Sequence, residues 1–453
     1  MSKPPNILFL MSDEHRFDTI GYAGNAIVRT PCLDELSKEA VIFDQAYTPS
    51  PVCIPARQCM AAGQYSNACN VKCFGEDLEP NYQTFARILT EHNYKTVAVG
   101  KLHHHGIDQM QGWQIRIAGD MQVSVNNYLR QSQKPPSAPD ILNTESKWDE
   151  KKEIMRAGPG ESAYLRKDYL AITGCKDFIY EHFVDSYYDR AEPNIPLLLY
   201  LGLINPHYPY IAPKQLFDYY LNRVELLENV TVSSHPYLGK CPGGSALMVG
   251  KDVRERDVKR AMAAYYANIE TVDTQFGEII QSLRDAGEDL DEWIIIYTSD
   301  HGEMLGEHAI WEKRKFYEGS VRVPLFIRYP KRFTPKTIHQ NVNLIDLFAT
   351  ICELCEIEIP ENLQSRSLVE LLSGKTDNWD NETISQLDGT NLMIKRDSLK
   401  YHWYEEDQSE LLFDLEKDPQ ENHDVSKDSA YKRKLETFQN RRMDFGFALS
   451  NKQ

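Results

Sequence analysis

The chain has 453 residues, 42% hydrophobic and 26% charged, a balance that supports a packed core and excludes a collagen-like, low-complexity or wholly disordered protein. Its 50 Lys and Arg against 67 Asp and Glu leave a net charge of −17, which repels nucleic acid and anionic membrane at long range. Neither is expected as a partner, and any anionic substrate has to be held by a local cationic cluster.

The first apolar run, Ile7 to Met11, is a predicted strand, and Asp13, Glu14 and Arg16 come directly after it. The run is too short for the apolar region of a signal peptide. No stretch approaches the roughly 20 apolar residues that cross a bilayer, so the chain reads as cytoplasmic. Tyr82 to His92 puts Phe85, Ile88 and Leu89 on one helical face, and Thr96 to Val99 is a second strand. Residues 131–162, with Lys134 to Pro139 and Gly158 to Gly160, read as a long insertion. Leu197 to Leu201 is a third strand. A second insertion, 223–256, carries Pro242 to Gly244. The segment Asp257 to Ala286 spaces Ala261, Tyr265, Ile269, Val272, Phe276 and Ile280 as a helix. Trp293 to Thr298 and Val323 to Ile327 are two more strands, and Asn341 to Leu354 reads as a helix.

Continuous apolar runs suit strands buried on both faces of a parallel sheet. Their alternation with helices predicts a large doubly wound α/β domain, mixed but mostly parallel, over residues 1–374. From 375 the texture changes. Short polar strands at Leu392 to Lys395 and Lys400 to Tyr404, a turn at Glu416 to Pro419 and an amphipathic helix from Ser429 to Phe447 predict a smaller C-terminal α+β subdomain over 375–453. The nine cysteines are odd in number and sparse, which argues for reduced, buried thiols rather than a disulfide scaffold.

The polar residues just after each apolar run point to function. Asp13 and Glu14 come after the first, Lys101, His103, His104 and His105 after the second, Asn205, His207 and Tyr210 after the third, Asp300 and His301 after the fourth. Ligands of open parallel sheets bind at the carboxyl ends of the strands, so four strands deliver these groups to one edge. One polar residue after a strand is ordinarily just a cap; four sets on four strands predict a site. Asp13, Glu14 and Asp300 with His301 suit a hard divalent cation, calcium first, with magnesium or manganese as alternatives. Zinc ranks lower, because no cysteine or histidine pair has close-spaced ligand geometry, and Cys352 and Cys355 read as core or surface. His103 and His105 share a face of an extended segment and His104 points away. In Ser50 to Arg57, Arg57 stands four residues after Cys53 and could lower its thiol pKa or hold an anion. No glycine-rich cradle surrounds that cysteine, so residue chemistry alone stops at an anion site.

Cys53-Ile-Pro-Ala-Arg57 also matches the C-x-P-x-R signature. Pro5 to Phe9, Met11 to Arg16, Gly100 to His103, Asn205 to Tyr210, Thr298 to Gly302, Trp311 to Lys313, Tyr317 to Leu325 and Leu411 to Pro419 match further elements in the same order. On these residues the chain resembles the type I, formylglycine-dependent sulfatases of the alkaline phosphatase superfamily over nearly its whole length. Ala56 stands where that family usually has serine, Ala61 to Gln64 where T-G-R is typical, Glu14 where Asp or Gln is frequent, and His301 where Asn is frequent.

The resemblance implies that a maturing enzyme converts Cys53 to formylglycine, whose hydrate attacks sulfur with help from the cation and then eliminates sulfate. It implies Asp13, Glu14, Asp300 and His301 as metal ligands, and Lys101 and Lys313 as cations on the sulfate. Arg57 would buttress the carboxylates, His103 would be the base for elimination, and His207 would bind substrate as the acid for the leaving oxygen. Substrates would be small sulfated saccharides, and aryl sulfates as well. Two readings stay open beside this one: a phosphonate or phosphate monoester hydrolase of the same superfamily, and an anion-binding protein without turnover if Cys53 stays a thiol.

Overall fold

Ile7 to Met11 is the centre of a longer strand, β1 (Asn6–Asp13), and in the computed structural model it occupies the middle of an eight-stranded sheet. Residues 4–119, 150–184, 195–227 and 247–447 are described. The other strands are β2 (Val41–Phe43), β3 (Lys95–Gly100), β4 (Ile115–Ile117), β5 (Leu197–Pro206), β6 (Trp293–Ser299), β7 (Leu325–Arg328) and β8 (Lys336–Ile338), in the order β8-β2-β7-β6-β1-β5-β3-β4. β1 pairs in parallel with both β5 and β6, Phe9 lying opposite Tyr200 on one side and Ile296 on the other.

The helices that matter for the site are α1 (Cys53–Ala62), α2 (Phe85–Glu91), α3 (Ala163–Ile179), α4 (Glu255–Asp285), α5 (Asp346–Leu354) and α6 (Lys432–Asp444). Side chains alternate across the central strand. Ile7, Phe9 and Met11 share a core with Phe85, Ile88 and Leu89 of α2 and Leu347, Phe348 and Ile351 of α5. Leu8 and Leu10 share the opposite core with Ala171, Ile172 and Phe178 of α3 and Val272, Phe276 and Ile279 of α4. Both faces of β1 are therefore apolar, which is why its sequence runs without alternation. Three layers result, helices on either side of a mixed, mostly parallel sheet, as the sequence predicts.

Several details differ from the sequence reading. The apolar run at 323–327 is divided at Pro324, which has no N–H to give a ladder. Arg322–Val323 pairs antiparallel with Ala46–Tyr47, and β7 lies antiparallel to both β6 and β2. The expected helix from Asn341 starts only at Asp346, because Val342–Asn343 pairs with Ala46–Tyr47 and Asn343 Nδ2 donates to Thr383 Oγ1 and Ile384 O. The helix expected from Tyr82 starts only at Phe85, where Thr84 Oγ1 accepts from Arg87 N. The terminal helix is a 3₁₀ turn, Ser429–Tyr431, leading into α6. Of the first insertion, residues 131–149 lie outside the described residues, and the remainder forms a helix, Glu150–Arg156, and a short strand pairing with Ile211–Ala212. Of the second, 228–246 lie outside them. No helix among the described residues is long and apolar enough to cross a membrane.

Four antiparallel strands close the chain: β9 (Glu382–Leu387), β10 (Asn391–Arg396), β11 (Leu399–Tyr404) and β12 (Ser409–Asp414). α6 lies on them, with Phe438 stacked on Tyr401 at 5.7 Å. Ile384, Leu392, Ile394, Tyr401 and Trp403 share a core with Ile54, Cys59 and Ala62 of α1. This sheet thus backs the helix that starts at Cys53. The eight cysteines within the described residues are free.

Candidate active site

Cys53 is the first residue of α1, where backbone N–H groups have no partner within the helix and favour negative charge. Arg57 sits one turn on, on the same face. Its guanidinium is buried and donates to Asp300 Oδ2 at 2.7 Å, Asp13 Oδ2 at 2.9 Å, Lys101 O at 2.9 Å and the Tyr200 hydroxyl at 2.8 Å. One arginine therefore ties together the carboxyl ends of β1, β6 and β3. The strand ends meet closely: a Cβ on Gly100 would lie 2.2 Å from Gly202 O, so this crossing requires glycine.

Lys101 Nζ lies 2.5 Å from Asp13 Oδ2. Burial alone would raise the pKa of Asp13, but Lys101, Arg57 and His207 outweigh it and hold the carboxyl well below the usual range. Asp300 behaves oppositely. Burial, aided by Asp13 and opposed by Arg57, pushes it up to about 7. Burial of two facing carboxylates opposes ionisation of both, and added positive charge beside Arg57 and Lys101 would favour it.

That argument, and the unpaired atoms, test whether a cation fits. Asp13 Oδ1 and His301 Nε2 are buried with no hydrogen-bond partner. His301 Nδ1 lies 3.0 Å from Gly302 O, which places the ring proton on Nδ1 and leaves a lone pair on Nε2. Burial and Lys313 keep this imidazole neutral, its pKa well below the usual value. Ligand atoms of Asp13, Cys53, Asp300 and His301 all come within 4.8 Å of one another. Two oxygen donors and a neutral imidazole suit a hard divalent ion.

Glu14, the fourth predicted ligand, is placed differently. It falls in a second cluster with Asp13 and His207, and its Oε2 accepts from Lys313 Nζ at 2.9 Å. Its backbone is left-handed, with φ of 65°, and is pinned by its N–H donating to Asp300 Oδ1 at 3.2 Å and its carbonyl accepting from the Tyr265 hydroxyl at 2.5 Å. Such a conformation persists in a non-glycine residue only where surrounding bonds hold it. Burial raises the Glu14 pKa well above normal, against the pull of Lys313 and with Glu303 and Glu312 adding to it.

His207 lies just beyond β5, between two prolines whose peptide bonds are cis. Its Nδ1 lies 2.6 Å from Tyr208 O, and its Nε2 lies 2.8 Å from Lys313 Nζ. Nδ1 therefore carries the ring proton and Nε2 accepts from the ammonium. Burial and Lys313 depress its pKa well below the usual value. His103, buried with φ of 61°, has its ring 5.0 Å from that of His105 and 6.0 Å from Phe74. Burial first, then Lys101, lowers its pKa strongly. His104 lines a small cavity with Arg57, Leu102, Phe85 and Trp113, and the left-handed backbone at His103 means that the segment is not the extended one the sequence reading assumed. Burial raises the Cys53 thiol pKa, although Lys313 and Lys101 oppose it, so its own surroundings do not make it a thiolate nucleophile.

The cluster thus gathers three buried cations, Arg57, Lys101 and Lys313, and three buried carboxylates beside a helix N-terminus. A family model described as "Sulfatase" matches residues 5–357, and one described as "N-sulphoglucosamine sulphohydrolase, C-terminal" matches 306–445. The chain belongs to the sulfatase family. It is accordingly a hydrolase. It is 27% identical to a protein named arylsulfatase from Clostridium perfringens, over 95% of this chain and 92% of that one. It is 29% identical to a choline-sulfatase from Rhizobium meliloti, over 92% and 81%. The phosphonate monoester hydrolase of Agrobacterium radiobacter shares the fold, with a TM-score of 0.75 at 21% identity over 97% and 95% of the two chains.

Beside the predicted residues, this sulfatase-family site uses groups that the sequence did not single out. Asp168 of α3, buried, accepts from Ile204 N, Asn205 N and Asn205 Nδ2. Glu303 accepts from Leu305 N, Glu312 N and the Tyr210 hydroxyl, fixing the turn that presents Lys313. Glu303 was legible as an acid three residues after Asp300. Asp168 lies in a helix far from every motif, and no local signal marks it.

Proposed function

We propose that this enzyme hydrolyses sulfate monoesters of sugars and phenols, with Cys53 in its formylglycine form and a divalent cation, calcium first, beside it. The observation that carries this reading is that Cys53, at a helix N-terminus, has ligand atoms of Asp13, Asp300 and His301 within 4.8 Å, with Lys101 bound to Asp13 and Lys313 to Glu14. The arylsulfatase and choline-sulfatase relatives support sulfate esters as the substrate class. Formylglycine would supply an oxygen nucleophile and the cation would supply positive charge at the sulfuryl oxygens. Asp13, Asp300 and His301 would hold that cation, with Glu14 beside them.

The chain's own residues do the rest. Lys101 and Lys313 bind and orient the sulfate oxygens, and they overcome the −17 background locally. Arg57 keeps the two carboxylates aimed inward. His207 exchanges its proton at Nε2, because Nδ1 is tied to Tyr208 O. Burial first and Lys313 second keep His207 neutral; an anionic ester beside it favours the imidazolium, so Nε2 can take a proton from solvent or from Lys313 Nζ and pass it to the departing oxygen. His103 takes up the proton released as sulfate departs. A small sulfate ester and a maturing enzyme acting on Cys53 are the partners this scheme requires.

The test is Cys53→Ala in a host that matures the parent. Turnover of 4-nitrophenyl sulfate should fall by roughly a thousandfold or more with unchanged folding. Activity within tenfold of the parent would exclude Cys53 as the source of the nucleophile.

A further inference from the structure

Lysines, arginine and carboxylates account for the sulfate end of a substrate; the alcohol end meets other side chains. The His207 ring is flanked by two tyrosines. Tyr208 has its ring centre 4.0 Å away, and Lys313 Nζ lies 4.9 Å from that same tyrosine ring. Tyr164 arrives from a distant part of the chain, as the second residue of α3, with its ring centre 5.8 Å from His207 in an edge-on arrangement of 67°. Both tyrosines are partly exposed, whereas Cys53, Lys101 and Lys313 are buried. The charged groups form the floor and the tyrosines rise beside it.

Tyr164 is held firmly. Ser162 Oγ caps α3 by accepting from Leu165 N at 3.0 Å. One turn after Tyr164, Asp168 accepts from Ile204 N at 2.7 Å, Asn205 N at 2.9 Å and Asn205 Nδ2 at 2.5 Å. These bonds tie the start of α3 to the end of β5, two residues before His207. Burial raises the Tyr164 pKa, and Lys101, Lys313, Asp13 and Cys53 all act on it, so a neutral phenol stands within reach of the same charges that hold the sulfate.

Aromatic faces and edges favour flat or chair-shaped rings as neighbours and do little for a bare anion. We propose that Tyr164, with Tyr208, is the wall against which the ring of the departing alcohol rests, which makes Tyr164 a specificity-determining residue for sulfate esters of ring alcohols, aryl or pyranose. The inference rests on the sulfatase reading of the same site.

Matured, calcium-loaded parent, Tyr164→Ala and Tyr164→Phe are compared on 4-nitrophenyl sulfate and galactose 6-sulfate, with inorganic sulfate as competing inhibitor. Tyr164→Ala should raise KM for at least one ring ester by roughly five- to tenfold, with the inhibition constant of inorganic sulfate unchanged. A rise for one ester alone identifies which ring the wall receives. Tyr164→Phe, which keeps the ring, should recover the parent KM to within about twofold. Unchanged KM values in Tyr164→Ala, or a parallel weakening of inorganic sulfate, would overturn the assignment. A parent with the aldehyde confirmed by mass but no turnover of either ester would instead sink the sulfatase reading. Calorimetric affinities for phenyl sulfate in parent and Tyr164→Ala then still decide whether the wall exists.

Discussion

Replacing Arg57 by alanine separates the roles of protein charge and cation in this site. The guanidinium is 2% exposed and makes four hydrogen bonds of 2.7 to 2.9 Å, two of them to Asp13 and Asp300. Its loss leaves two buried carboxylates facing each other with Lys101 as the remaining cation in contact, 2.5 Å from Asp13. Removing one partner of a buried charge pair costs about 3–5 kcal/mol, and solvent screening gives no relief at this depth. Urea unfolding of parent and Arg57→Ala in chelator should differ by that amount. The cation proposed above would neutralise the same two carboxylates, so the gap should narrow by about 1–3 kcal/mol in millimolar calcium. A gap below about 1 kcal/mol in chelator would show that the carboxylates do not depend on Arg57. A gap of equal size with and without calcium would refute the shared role of Arg57 and the cation.

Two further predictions concern proton transfer and the C-terminal sheet. His207→Ala should slow a sugar sulfate by about 10²-fold or more but an activated nitrophenyl sulfate far less, because a phenolate leaves with little help from an acid. His103→Ala should slow both toward a similar low rate, since its proton is taken after the alcohol has gone; steady-state rates on the two esters check both, and equal losses for His207→Ala would refute its role. Lys400 of β11, fully buried, pairs with Glu318 at 2.9 Å and Glu421 at 2.7 Å, so Lys400→Met should cost about 3–5 kcal/mol in urea unfolding, because Glu421 loses its cation while Glu318 keeps Arg322 and the Tyr47 hydroxyl. A loss below about 1 kcal/mol would show that this network does not secure the C-terminal sheet.

Much of the fold was legible because burial on both faces writes itself as an uninterrupted apolar run, as in Leu197 to Leu201 and Trp293 to Thr298. The polar residues after each run marked the sheet edge where Asp13, Lys101, His207 and Asp300 now meet. Strand direction was not legible. An apolar run reads alike in a parallel or antiparallel strand, so β7 showed its direction only through its partners β6 and β2. The start of α5 was hidden for a similar reason, since Val342–Asn343 is drawn into pairing by residues nearly 300 positions earlier. In the site, residue type identified Glu14 as a carboxylate but not its left-handed backbone, which turns it toward Lys313. Tyr164 and Asp168 belong to a helix whose relation to His207 exists only in three dimensions.

The sulfatase reading is tested most directly by kcat/KM on 4-nitrophenyl sulfate and on 4-nitrophenyl phenylphosphonate, measured side by side on calcium-loaded enzyme whose Cys53 aldehyde is confirmed by mass. The sulfate should be favoured by about tenfold or more, equivalent to about 1.4 kcal/mol of transition-state stabilisation. Preference for the phosphonate, or no turnover of the sulfate with the aldehyde in place, would contradict it.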